Sequence, residues 1–276
     1  MAYGVNAPFG LRPISSINGG SWTEKTNEYY ISASADGDTT YASNIFTGDP
    51  VVFNPAVADV GTISVYLPNF ADATPSTFSD LTILGVFQGC EYTDATGKLV
   101  QSPYWPASTR VQAGTKIKAF VLDDPNTVFD IQISTSKDAA ANAFVSRPYL
   151  PVTNDTAANV GSFGSNFALN IGGGTNFNTI QINGEDANYA NNPASGDTRT
   201  GQSAFYIDAS TSTALNNDHD YVKTSATLPL KAIGYTLDPK NTADSKLTLE
   251  TTPFLNVRVM INNHYYKAGT VGTTLA

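Results

Sequence analysis

The sequence is short of charged residues, cysteine and histidine. Charged side chains make up 14% of the 276 residues, well below the ~25% of an average soluble domain. Glu, Lys, Arg and Leu are scarce, which argues against a helical protein because long helices depend on them. The one cysteine, Cys90, rules out an intrachain disulfide and a thiolate metal site. No run approaches the ~18 apolar residues of a membrane span, and residues 1–6 lack the features of a signal peptide.

The remaining composition predicts a folded, all-β protein. Hydrophobic residues account for 41% and aromatic residues for 11% of the chain, so it can bury a core of its own. Ser, Thr, Asn and Gly occupy most of the polar positions, as is typical of all-β proteins. The formal net charge of −9 disfavours binding to nucleic acid, because the surface repels phosphates.

Short strand-like runs recur along the chain. They lie at residues 29–32, 50–54, 63–67, 82–88, 115–122, 128–133, 179–182, 204–208, 227–235 and 254–266. Turn sequences such as Ala35-Asp36-Gly37-Asp38 separate them. Strands at this spacing predict a core that is an antiparallel β-barrel or β-sandwich.

Residues 118–133 contain the clearest local pattern. Two apolar runs flank the turn Asp123-Asp124-Pro125-Asn126. Proline presets its own φ in such a turn, and Asp and Asn side chains bond to their own backbone. In the second run polar and apolar residues alternate. The pattern predicts a β-hairpin, or a tight strand–turn–strand unit, with one buried face and one polar face.

The chain divides into an extended N-terminal arm, residues 1–26, and a single β domain, residues 27–276. The arm has isolated apolar residues without a hydrophobic period, so we expect it to be mobile alone and ordered against a neighbouring subunit. A helix is predicted at residues 136–145, where Ser136 can cap an alanine-rich segment. Residues 151–220 are rich in Gly and Asn, and we interpret them as a loop-rich insertion that elaborates the β core.

No group of residues forms a recognisable catalytic, cofactor-binding or metal-binding motif. The two histidines, His219 and His264, stand in a polar loop and at a strand end, and no Gly-x-Ser-x-Gly elbow accompanies them. The glycine run at 172–174 lacks the Lys-Ser or Lys-Thr of a phosphate-binding loop. We therefore predict no catalytic residue, no cofactor and no metal ion. A pair of carboxylates for glycoside cleavage is not excluded, because the two residues of such a pair meet in space and need not be close in sequence.

Several segments, in their order along the chain, are similar to those of a known family. They are Phe9-Gly10-Leu11-Arg12-Pro13, the unit at 118–133, and residues 27–31, 47–52, 84–92, 102–106, 230–235 and 255–264. Together they resemble the small virion structural proteins of tailed bacteriophages known as head decoration, cement or capsid-stabilising proteins. The resemblance covers residues 1–135 and 228–266 and lies in the order of strands and turns, without a catalytic signature.

This resemblance implies a non-enzymatic virion protein that binds the major capsid protein and stabilises the phage head. It implies a homotrimer on the outer surface of the capsid, made in the host bacterial cytoplasm, with neither nucleic acid nor membrane as a partner. Aromatic residues and arginine are enriched at protein interfaces. The expected interface residues are Phe9, Leu11, Arg12, Trp22, Tyr104 and Trp105.

Two alternatives remain open. Aromatic residues such as Tyr104, Trp105, Tyr265 and Tyr266 could equally stack on sugars, so the second interpretation is a carbohydrate-binding or adhesin module of a phage or cell surface. The third is a glycan-cleaving enzyme, although the chain has only five glutamates and none lies in a recognisable context.

Overall fold

The computed structural model describes residues 8–19, 23–54, 61–65, 82–134, 137–138, 143–144, 166–171, 196–208, 229–236 and 256–267. Within these ranges the chain forms 18 β-strands and no α-helix. The strands are β1 (Arg12–Ser16), β2 (Asn27–Ile31), β3 (Ile45–Phe46), β4 (Pro50–Phe53), β5 (Thr62–Val65), β6 (Gly85–Thr93), β7 (Leu99–Ser102), β8 (Tyr104–Trp105), β9 (Ile117–Leu122), β10 (Thr127–Ser134), β11 (Lys137–Asp138), β12 (Ala143–Phe144), β13 (Asn166–Ile171), β14 (Gly196–Asp197), β15 (Gln202–Ser203), β16 (Phe205–Asp208), β17 (Leu230–Tyr235) and β18 (Asn256–Ile261).

Five strands close into a first barrel. Their hydrogen-bonded order is β4-β5-β2-β9-β6, and β4 also pairs with the start of β6, which completes the ring. Strand β7 pairs with the end of β6 and extends the sheet outside the ring. All pairs are antiparallel except β2 with β5. Buried apolar side chains from all five strands form the core, together with Trp105.

A second ring of five strands follows the order β10-β16-β13-β17-β18, and β10 pairs with β18 to close it. Strand β1 lies antiparallel to the first half of β10, while β16 runs parallel to its last two residues. Each of the five strands contributes to a buried apolar cluster that includes Phe129, Leu169, Phe205, Leu230 and Val259. We call this ring the second barrel.

The two barrels meet along a shared apolar boundary. In β4, Val51 belongs to the core of the first barrel and Val52 to the core of the second. Because successive side chains of a strand point to opposite faces, a strand between two cores is buried on both. The sequence of such a strand is a continuous apolar run and does not alternate between apolar and polar residues. The structure confirms the predicted all-β fold and its antiparallel barrel form.

The turn at 123–126 joins the two barrels, so the predicted hairpin is wrong in its pairing. Strand β9 pairs with β2 and β6, whereas β10 pairs with β1, β16 and β18. The expected polar face of β10 is wrong too, since Asp130 and Gln132 are both buried. Asp130 is accommodated there because Arg12 and Thr236 donate hydrogen bonds to its carboxylate. A tight turn determines where the chain reverses, but the free edges of other strands determine the pairing.

Part of the predicted N-terminal arm belongs to the second barrel. Strand β1 pairs with β10 of the same chain, and Leu11 is completely buried in the core of that barrel. Gly10 donates a backbone hydrogen bond to Phe205 (3.1 Å) and Leu11 donates one to Gly48 (2.9 Å). The segment is extended, but Leu11 packs within the chain and does not need a neighbouring subunit. Residues 1–7 and 20–22 lie outside the described residues.

The helix predicted at residues 136–145 is also wrong. Its described residues form the two short strands β11 and β12, which pair antiparallel with Lys137 opposite Phe144 and Asp138 opposite Ala143. A helix of about ten residues is marginal without an apolar face to pack, and alanine supplies almost none. In the described part of the chain no helix is long and apolar enough to cross a membrane.

The predicted insertion at 151–220 contributes two strands to the second barrel. Strands β13 and β16 pair with each other, and Leu169 and Phe205 enter the core. The strand-like run at 204–208 therefore belongs to the fold itself rather than to a surface elaboration. The run at 179–182 lies outside the described residues.

Candidate functional site: a tyrosine patch supported by a buried carboxylate

Two of the six expected interface residues are core residues. Leu11 and Trp105 are completely buried. The indole Nε1 of Trp105 donates to the carbonyl oxygen of Tyr41 (3.2 Å), and its ring meets Tyr92 edge-on with centroids 5.2 Å apart. Tyr104 is half-buried and stacks on Phe46 at 5.4 Å. Trp105 and Tyr104 therefore pack in the first barrel, whereas Leu11 packs in the core of the second.

Phe9 is half-buried and Arg12 is exposed, while Trp22 lies outside the described residues. The Arg12 guanidinium lies 4.8 Å from the ring centroid of Phe9 and also pairs with Asp130, yet its side chain is 54% exposed. Ile17, directly after β1, is 48% exposed. We call strand β1 with Phe9, Arg12 and Ile17 the N-terminal edge.

A second surface feature is a group of four aromatic rings that sequence analysis did not assemble. Tyr265 contacts Phe53 (centroids 4.7 Å apart) and Tyr266 (5.4 Å), in both cases edge to face. Phe53 in turn meets Tyr29 at 5.9 Å. Tyr265 and Tyr266 are 43% and 52% exposed. We call these four residues the tyrosine patch.

Hydrogen bonds to the nearly buried Asp123 hold the patch from below. The Tyr29 hydroxyl donates to Asp123 Oδ2 (2.6 Å), and Asn27 Nδ2 contacts both carboxylate oxygens at 2.9 Å. The hydroxyl oxygens of Tyr29 and Tyr266 are 3.1 Å apart. Burial and the bond to Asp123 raise the pKa of Tyr29, so its hydroxyl keeps its hydrogen.

The hydrogen directions in this chain of bonds follow from the chemistry of the groups. A carboxylate only accepts, and a tyrosine hydroxyl has one hydrogen. Tyr29 gives that hydrogen to Asp123, so Tyr266 must be the donor in the bond between the two hydroxyls. The Tyr266 oxygen is left to accept from outside. The exposed Asn27 side chain uses its NH₂ group on Asp123, which leaves its amide oxygen as a second acceptor of the same network.

His264 fixes the backbone of the patch. It is completely buried, and its Nδ1 accepts the backbone N–H of Tyr266 (3.1 Å). Tyr265 donates its backbone N–H to the carbonyl of Ile83 (2.8 Å), which ties the same segment to the residues before β6. Burial lowers the pKa of His264 to about 4, although the charge of Asp123 acts in the opposite direction. The imidazole is therefore neutral near pH 7 and can accept that bond.

Four other acidic residues of the described chain stabilise turns. Asp36, Asp94, Asp124 and Asp197 each accept the backbone N–H two residues ahead, as turn-forming side chains do. Hydrogen bonds from side chains, and then from backbone N–H groups, lower the pKa of three of them; the side-chain donors are Ser34 for Asp36, Thr96 for Asp94 and Arg199 for Asp197. Among the described residues no group of three or more His, Cys, Asp or Glu side chains is arranged to hold a metal ion.

Cys90 is not part of the tyrosine patch. Cys90 is buried, and burial raises the pKa of its thiol to about 12, so it stays protonated. His219 and the glycine run at 172–174 lie outside the described residues.

Sequence analysis noted Tyr265 and Tyr266 but missed the residues that support them. The sequence pattern indicates only a turn role for Asp123, which is 94 positions from Tyr29. Tyr29 is in turn 237 positions from Tyr266. The only local signal was the adjacent Tyr265-Tyr266 pair after an apolar strand. Comparison of the chain with protein-family models, curated proteins and solved structures finds no match.

Proposed function

We propose that this chain is a non-enzymatic virion structural protein that binds the major capsid protein on the outer surface of a phage head and stabilises it. The observation that carries the proposal is the N-terminal edge. Strand β1 is the outermost strand of its sheet, and no other described strand pairs with its outer side. An open strand edge can accept a strand or loop from another chain.

The edge has a rigid support and a mixed surface. Leu11 is buried in the core of the second barrel and Gly10 is hydrogen-bonded to Phe205, so β1 is ordered before it meets a partner. A preordered edge loses little conformational entropy on binding. Ile17 offers apolar area, and Arg12 offers a cation on a chain whose net charge is −9.

Several other properties support this function. A shell under the pressure of packaged DNA fails where capsomers separate, and a symmetric homotrimer bridging them adds buried area across those boundaries. The net negative charge suits an outer position away from DNA. Five of the described acids have roles that suit a structural protein: Asp130 is hydrogen-bonded in a core, and turns are stabilised by Asp36, Asp94, Asp124 and Asp197.

The test compares two substitutions at exposed aliphatic residues. Ile17→Asp alters the N-terminal edge and leaves the bond from the Ile17 backbone N–H to Asn126 in place. Leu99→Asp is the matched control, because Leu99 is 60% exposed on β7, the open edge strand of the first barrel. Both variants and the wild type are titrated onto undecorated, expanded capsids, and light scattering measures the oligomeric state.

We expect Ile17→Asp to weaken capsid occupancy about tenfold or more, equivalent to ~1.4 kcal/mol. Leu99→Asp should bind as the wild type does. Wild-type protein that fails to bind capsids, or Ile17→Asp protein that saturates them equally well, contradicts the proposal. A monomer at micromolar concentration contradicts a preformed trimer.

A further inference from the structure

We propose that the tyrosine patch, with Asn27 beside it, is a binding site for a neutral saccharide. The inference goes beyond attachment to a capsid and rests on different residues. It follows from three properties of the patch: its outward hydrogen-bond acceptors, its fixed aromatic rings, and its size and charge.

The patch presents acceptors to the outside. Because Tyr29 gives its hydrogen to Asp123, the Tyr266 hydroxyl gives its own hydrogen inward to Tyr29. The Tyr266 oxygen and the Asn27 amide oxygen are then both left as acceptors, and both groups belong to the hydrogen-bond network around Asp123. A ligand that suits them carries hydroxyl or N–H donors, and adjacent hydroxyl groups are the defining feature of saccharides.

The aromatic rings of the patch offer an apolar surface on which a sugar ring can pack. A sugar ring has an apolar C–H face that packs on the face of an aromatic ring, and tyrosine combines such a face with a polar tip. Exposed tyrosines are ordinarily free to change rotamer. Here Tyr266 is held by Tyr29 and by the His264 bond to its backbone, while Tyr265 is held between Tyr266 and Phe53. Because these rings are fixed before binding, little conformational entropy is lost when a ligand binds.

Size favours a small ligand over a protein. Tyr265 and Tyr266 are each about half exposed, which leaves roughly 200 Å² of ring surface if a buried aromatic covers ~150–250 Å². A stable protein interface needs ~800 Å² from each partner. The patch therefore matches one or two sugar residues.

Charge determines which saccharides suit the site. Asp123 lies directly beneath the patch, Asp124 is exposed next to it, and the chain has a net charge of −9. Lys267 is the nearest cation in sequence, and His264 is neutral near pH 7. A sulfated or uronic-acid saccharide would be repelled by the two carboxylates, whereas a neutral one would not.

The experiment uses the full chain on an array of neutral and acidic oligosaccharides. It is followed by calorimetric titration with millimolar glucose, galactose, mannose and N-acetylglucosamine and their short oligomers. Tyr266→Phe keeps the ring and removes the acceptor. Tyr30→Phe is its matched control, because Tyr30 lies on β2 against Lys116, outside the patch, and no described hydrogen bond involves its hydroxyl. The double variant Tyr265→Ala/Tyr266→Ala removes both rings, and circular dichroism and urea unfolding check that each variant folds.

We expect binding to one or more neutral probes, with a loss of affinity of about five- to tenfold in Tyr266→Phe. Tyr30→Phe should bind with near wild-type affinity, and the double variant should not bind. The capsid variant Ile17→Asp should bind the saccharide normally, which separates the two proposals. Absence of binding to every neutral probe overturns the inference, as does binding that survives in a folded double variant. Loss of capsid occupancy in the double variant, without saccharide binding by the wild type, would identify the patch as a protein contact and overturn it equally.

Discussion

Val121 and Leu122 are consecutive residues of β9, and they are buried in different cores. Val121 packs in the first barrel, whereas Leu122 packs with the strands of the second. The boundary between the barrels is therefore a continuation of both cores. A strand that serves two cores couples their stability, because neither barrel can open there without exposing apolar surface of the other.

Leu122→Ala should destabilise both barrels together. The cavity it leaves at the shared boundary should lower the free energy of unfolding by about 2–4 kcal/mol. Urea unfolding followed by tryptophan fluorescence and by far-UV circular dichroism should give one coincident transition at a lower midpoint. Leu99→Ala, at an exposed position on β7, should leave the midpoint unchanged. Two separated transitions in the wild type would show that the barrels unfold independently.

Gly10→Ala should be far more damaging than Gly97→Ala. Both glycines have positive φ, +72° and +87°, which costs a residue with a side chain about 1–2 kcal/mol. A Cβ on Gly10 would also lie 2.5 Å from the oxygen of Gly48 and from Ser203 Cβ, while one on Gly97 meets nothing within 4 Å. Thermal unfolding should show a loss of roughly 3 kcal/mol or more for Gly10→Ala. Equal losses would mean that the chain crossing at Gly10 relaxes freely.

The Arg12–Asp130 pair should affect the free energy of unfolding mainly because the carboxylate of Asp130 is buried. Asp130 is completely buried, whereas the Arg12 side chain is 54% exposed. Arg12→Ala leaves that charge with less compensation and should cost roughly 1–3 kcal/mol, the lower part of the range reflecting solvent screening. Adding Asp130→Asn should recover part of the loss, because it removes the buried charge.

A double-mutant cycle by urea unfolding measures this coupling. The control is Arg110→Ala, which removes a pair with Asp38 in which both side chains are exposed. It should have no measurable effect on the midpoint. Purely additive losses for Arg12→Ala and Asp130→Asn would contradict the coupling.

His264 should make stability fall as the pH drops from about 6.5 to about 4. Its pKa is lowered to about 4 in the folded chain, against ~6.5 in the unfolded chain. Between these values the unfolded state binds a proton that the folded state does not, so stability rises with pH across this window and levels off above it. The total change should be at most about 3 kcal/mol.

Urea midpoints at pH 7, 5.5 and 4.5 measure this slope, and His264→Gln should flatten it. The turn carboxylates Asp36, Asp94 and Asp197 have pKa values lowered from 3.8. The stability that these carboxylates contribute is lost at lower pH than the His264 window, as the pH falls through their lowered pKa values. An unchanged slope in a folded His264→Gln variant would contradict the assignment to His264.

The amino-acid sequence by itself determined where most core strands and the turn at 123–126 lie, although its local pattern at 136–145 predicted a helix where β11 and β12 form. Alternating or continuous apolar runs predicted most core strands, including β4, β6, β9, β10 and β18. The turn at 123–126 formed where its Asp, Pro and Asn residues predicted it. These features depend on neighbours a few residues apart, so the pattern contains the information.

Only the tertiary structure decided which strands pair, which polar groups are buried and which surface residues come together. β9 and β10 join different barrels because each finds its partners among strands far away in sequence. Asp130 is buried because β1 brings Arg12 to it. The tyrosine patch combines residues from β2, β4 and the segment after β18, and Asp123 of the 123–126 turn supports it. Pairing and burial are set by the free energy of assembling distant segments, and no local pattern in a single sequence specifies that assembly.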